Sequence, residues 1–154
     1  MNSDDLISSD SVFSKKQQQI ISAIANAMIK KDEVLDLPSA SDPLVMKTIL
    51  DKSAHFSERL VAGIDTLCEE IDPLTSTPEV LLGVLDKNPK FRALSRTLTI
   101  IIMQSYYQDP RVLSAHGQSA RPPFPLGHKV EQGDWSLLDQ VKQRTPFYRP
   151  CLLY

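Results

Sequence analysis

Residues 88–107 read NPKFRALSRTLTIIIMQSYY. Asn88-Pro89 places a capping side chain before a proline at the first helical position, where the missing N–H costs nothing. Behind it Phe91, Leu94, Leu98, Ile101 and Ile102 recur on one side at 3.6-residue spacing, and Ile100 and Met103 widen the stripe until it is apolar nearly all round. A helix of that kind is expected to be the central and most buried one. TLTIII alone would suit a strand, but its cap and spacing argue for helix, and no segment of four or more residues alternates convincingly with period two. The fold class is therefore all-α, a small helical bundle.

Upstream, the same signals repeat. Ser14 followed by Gln17 is a capping-box pattern, with Phe13 placed to staple the helix start. Ile20, Ile21, Ile24, Ala25 and Met28 then continue a helix to about residue 30. Lys31 to Asp42 reads as a connector, and Asp42-Pro43 opens the next helix. It carries one stripe of Leu44, Val45, Ile49 and Leu50 and a second of Phe56, Leu60, Ile64, Leu67 and Ile71, as one bent helix or two. Pro73 stops that run. Thr77-Pro78 starts a short helix through Val80, Leu81, Val84 and Leu85. Residues 1–13, rich in Ser and Asp, read as a flexible acidic leader.

Downstream the character changes. Residues 106–154 hold seven of the ten aromatics, six of the 11 prolines and three of the five glycines. Asp109-Pro110 opens a helical turn. His116-Gly117 suits a helix end, where an imidazole meets the last carbonyls and glycine turns left-handed. Residues 121–125, RPPFP, must be extended, and Asp134 to Arg144 forms a short helix with Leu137, Leu138 and Val141 inward. Three regions result: the leader 1–13, a bundle 14–107, and a long, Pro/aromatic-rich irregular arm 108–154 packed on the bundle, on a partner, or on both.

Composition excludes several functions. The 154 residues suffice for one domain that buries roughly 70% of its unfolded surface, so general disorder is excluded. A net charge of -2 and a pI near 5.9 give no source for nonspecific phosphate attraction, so no nucleic-acid partner is expected. Cys68 and Cys151 are far apart, and the three histidines, His55, His116 and His128, lack metal-ligand spacing; a reducing compartment and no metal are expected. There is no GxSxG, no phosphate-binding glycine loop and no thiol beside a histidine, so no catalytic or cofactor-binding residue is assigned. Glu69-Glu70 and Asp4-Asp5 are adjacent and diverge by about 100° on a helix, so they read as solvated charges. The closing CLLY is a poor prenylation box, since tyrosine is not a usual last residue there. No apolar run approaches the roughly 20 residues of a membrane span, and the N-terminus has neither a basic n-region nor a twin arginine. The expected location is the cytoplasm.

Two features remain. Tyr106 and Tyr107 end the central helix on different faces, so at least one phenol should reach the surface. The segment Arg121-Pro122-Pro123-Phe124-Pro125 is a preorganised arm whose Phe124 either docks on a partner or tucks onto the core. The order YYQDPRV (106–112), RPPFPLGHKV (121–130) and DWSLLDQVKQRTPFYR (134–149) resembles the C-terminal half of the small subunits that accompany FAD-dependent oxidoreductases of the glucose-methanol-choline (GMC) class. That group includes gluconate 2-dehydrogenase subunit 3. The stretch LPSASDPLV (37–45) and the helices after it are similar in layout, so the resemblance covers about residues 14–149.

The resemblance implies a gamma-type, chaperone-like helper. In that family FAD and the catalytic histidine belong to the large flavoprotein partner, and the small subunit supports its folding, stability or export. The expected partner contacts are Tyr106, Tyr107, Arg111, Arg121, Pro122, Phe124, Pro125, Trp135, Tyr148 and Arg149. Many family members carry a twin-arginine signal; a periplasmic site here would need export with a partner or a signal missing from the sequence. Two other readings stay open: a small enzyme using Tyr106 or Tyr107 with His116 or His128 for proton transfer, and a helical adaptor for an unrelated protein.

Overall fold

A computed structural model describes residues 12–119 and 133–145. The chain is all-α, and among the described residues the one bridge of β type is an isolated pairing of Asp32 with Leu37. Two compact units divide it, residues 1–121 and 122–154.

The first unit holds α1 (Lys15–Met28), α2 (Pro43–Ser53), α3 (Ser57–Glu70), α4 (Pro78–Lys87), α5 (Arg92–Tyr106) and α6 (Pro110–Ala115). Their starts follow the local chemistry. Ser14 and Gln17 close a capping box on α1, and the ring of Phe13 is buried while Gln18 Nε2 donates to its carbonyl at 2.8 Å. Asp42, Thr77 and Asp109 cap α2, α4 and α6, each ahead of a proline. Removing the Ser14 hydroxyl strands an orphan N–H, so Ser14→Ala is expected to lower stability by about 1 kcal/mol in urea unfolding, with an unchanged denaturant slope.

α5 packs against α2, α3 and α4, and α1 against α4 and α3. The core runs through Ile20, Ile21 and Ile24 of α1, Val45 and Ile49 of α2, Leu60, Ile64 and Leu67 of α3, Leu81 and Leu85 of α4, and Leu94, Leu98 and Ile102 of α5. Gly63 brings α3 close to α5: a Cβ there would stand 3.1 Å from Leu94.

Three expectations about the apolar faces of these helices are corrected. Leu44 is exposed and Met46 takes its place in the buried face of α2, because that face is set by Val45 and Ile49 one turn apart. Phe56 is exposed; it lies in a 3₁₀ turn, Ala54–Phe56, which shifts the register between α2 and α3, so the buried stripe begins at Leu60. α5 is not apolar all round in its packing: Ile100 and Met103 are exposed, since its covering helices leave that side open.

The first unit continues past the bundle boundary expected at residue 107, because α6 inserts the fully buried Val112 into the core. α6 ends as its sequence suggests. His116 Nδ1 lies 2.9 Å from the Val112 carbonyl, Gly117 adopts φ +70°, and the N–H groups of Gly117 and Gln118 donate to Ser114 and Leu113, a Schellman closure.

In the second unit, the described residues form a 3₁₀ turn, Trp135–Leu138, capped by Asp134, and a single helical turn, α7 (Asp139–Lys142). Leu137, Leu138 and Val141 are exposed. The sequence reading places these three inward; the described residues of this unit are too few to enclose them.

Candidate interaction surface

The end of α5 and the start of α6 bring three of the expected contact residues together. Tyr106 is 5% exposed and Tyr107 46% exposed, so the adjacent phenols do take different faces. Their rings meet edge to face with centroids 5.4 Å apart, and the Tyr107 ring meets His116 the same way at 5.9 Å. Two perpendicular neighbours thus hold Tyr107 while part of its surface stays open.

Arg111 is committed within the chain. Its Nη1 and Nη2 donate to Asp42 at 3.1 and 2.8 Å, and its Nε and Nη2 donate to Asp109 at 2.9 and 2.8 Å. One guanidinium therefore joins the capping carboxylates of α2 and α6, bidentate to each. Its hydrogen bonds hold Asp42 and Asp109 below the ordinary carboxylate range, against the opposing effect of burial. The two carboxylates in turn raise Arg111. Burial pushes the Tyr106 phenol up, and Tyr107, Asp32 and Asp109 act in the same direction.

Beside this clamp a groove of about 320 Å³ is lined by Leu44, Val45, Thr48, Ser105, Gln108, Asp109 and Pro110. Among the described residues that line it, the one acidic side chain, Asp109, accepts from Arg111 through both oxygens.

No family model, curated protein or solved structure matches this chain. The site is therefore read from its own residues.

Of the remaining expected contacts, Trp135 is 64% exposed in the second unit. Arg121, Pro122, Phe124, Pro125, Tyr148 and Arg149 lie outside the described residues, as do His128 and Cys151. Among the described residues no three His, Cys, Asp or Glu side chains gather to hold a metal ion, and no helix is long and apolar enough to cross a membrane.

Sequence reasoning missed three things. The partners of Arg111 were one: Asp42 is distant in the chain, and only the Asp-Pro signature shared by residues 42–43 and 109–110 marks the two caps as alike. The second is the connector after α1, which is a braced turn. Asp32 and Leu37 exchange backbone hydrogen bonds, Asp32 Oδ1 accepts from the N–H groups of Val34 and Leu35, and Asp36 takes φ +49°. The third is the open side of α5, where Arg96, Ile100, Met103 and Tyr107 are all exposed.

Proposed function

We propose that this chain is a noncatalytic small subunit that binds and stabilises a larger catalytic partner, the GMC-type flavoprotein implied by the resemblance of its C-terminal third. The observation that carries this reading is the segment Trp135–Lys142, which presents Trp135, Leu137, Leu138 and Val141 to solvent within two short turns. Clustered apolar side chains of this size, with a tryptophan among them, are the anchor types that dominate protein interfaces.

The chemistry-bearing side chains of the first unit point the same way. Arg111, Asp42 and Asp109 are tied to one another, and His116 Nδ1 to a helix end. Burial raises the Tyr106 phenol, so it keeps its proton. FAD, in this reading, is bound by the partner.

The test is copurification of the tagged chain from its native host, with flavin absorbance and mass identification of what accompanies it. A stoichiometric GMC-type flavoprotein is the expected result. Trp135→Ala should then weaken the complex by roughly 1–4 kcal/mol. A partner without flavin would favour the adaptor reading. A colourless, partner-free chain with activity lost in Tyr107→Phe would favour the enzyme reading.

A further inference from the structure

The open side of α5 carries a pattern of side chains that packing within the first unit leaves exposed. Arg96, Ile100, Met103 and Tyr107 follow one another at spacings of four, three and four residues. That is the alternation by which a helix keeps one seam turned toward a second helix. All four are exposed, Ile100 at 47% and Met103 at 39%, although α5 is buried on its other sides by α2, α3 and α4. Arg96 forms no ion pair among the described residues.

The seam is self-complementary. Its midpoint falls at the level of Ile101 and Ile102; Arg96 and Tyr107 stand equally far from that level on either side, and so do Ile100 and Met103. Two copies of α5 laid antiparallel across a two-fold axis therefore set Ile100 of each against Met103 of the other, and Arg96 of each against Tyr107 of the other. The second pairing joins a guanidinium to an aromatic ring, a favourable cation–π match. The ring is already positioned for it by its perpendicular contacts with Tyr106 and His116. A two-fold axis uses every such contact twice.

We infer that the open seam of α5 is a homodimer interface, and that its occupant is the same seam of a second copy of this chain. A single helix pair is a small interface, so the association is of the weak, concentration-dependent class. This inference goes beyond the helper-subunit reading and stands without it.

Sedimentation velocity of the purified full chain over about a hundredfold concentration range tests it. A reversible monomer–dimer equilibrium is expected. Ile100→Glu and Met103→Glu, which keep good helix formers at exposed positions, should each shift the protein to monomer with an unchanged far-ultraviolet dichroism spectrum. Arg96→Tyr and Tyr107→Arg should each weaken the dimer, and the two combined in one chain should restore it, because the axis pairs these positions. A wild-type chain that is monomeric throughout, whether its seam is bare or covered by its own C-terminal residues, overturns the inference. So does a dimer that survives Ile100→Glu, or association beyond dimer. None of these outcomes depends on a flavoprotein, so the copurification result remains a separate question.

Discussion

Leu98→Ala is expected to lower the free energy of unfolding by about 3 kcal/mol, within the 2–5 kcal/mol that such truncations cost in packed cores. Leu98 is fully buried on α5, the helix that touches α2, α3 and α4, so its loss removes packing from several elements at once. The middle of the range is the better expectation for a structural reason. Leu98 borders a small cavity of about 120 Å³, shared with Ile24, Met28, Leu82 and Leu85, and a flexible methionine there relaxes into part of the vacated space. For a domain whose total stability is roughly 5–15 kcal/mol, the loss is large. Ile100→Ala, two residues on but on the exposed side of the same helix, should cost below about 1 kcal/mol in a monomeric sample. Urea unfolding of the two variants under one condition makes the comparison. Equal losses would mean that α5 does not present the Leu98 face to the core.

That contrast also separates what the sequence makes legible from what it does not. Helix starts are local: Ser14 with Gln17, Asp42-Pro43, Thr77-Pro78 and Asp109-Pro110 each satisfy orphan N–H groups within three residues, so a short window contains the whole cause. The end of α6 at His116-Gly117 is legible for the same reason. Burial is not local. Ile100 and Leu98 are equally apolar, and which of them is covered depends on where α2, α3 and α4 arrive. Periodicity alone overstated the apolar circumference of α5, and it misplaced Leu44 and Phe56. The candidate surface was legible only in part. Adjacent tyrosines at a helix end had to diverge, and they do. The role of Arg111 was hidden because its second carboxylate lies 69 residues away in sequence, where no spacing rule applies.

The Arg111 clamp yields the second large effect. Arg111→Ala is expected to destabilise the first unit by about 2 kcal/mol near neutral pH, less than the 3–5 kcal/mol of a fully buried pair because the guanidinium is partly exposed. Most of that loss comes from Asp109, whose side chain is only 6% exposed and whose carboxylate would keep its burial while losing its cation. Arg111→Lys should recover only part of it, since a single ammonium cannot engage both carboxylates in two-point contacts. The clamp is also pH-dependent, with a definite sign. Asp42 and Asp109 are lowered in the folded protein, first by hydrogen bonds from Arg111. Their contribution is therefore fully present above the unfolded carboxylate value of about 3.9 and is lost as pH falls through the lower, folded values. Without Arg111 the two carboxylates protonate more readily, so the gap between wild type and Arg111→Ala should be widest near pH 7 and shrink in acid. Urea unfolding of both proteins at neutral pH and near pH 3 measures that gap. A gap independent of pH would show that Arg111 acts through packing of its aliphatic stem, and a double-mutant cycle with Asp42→Asn would then give no coupling.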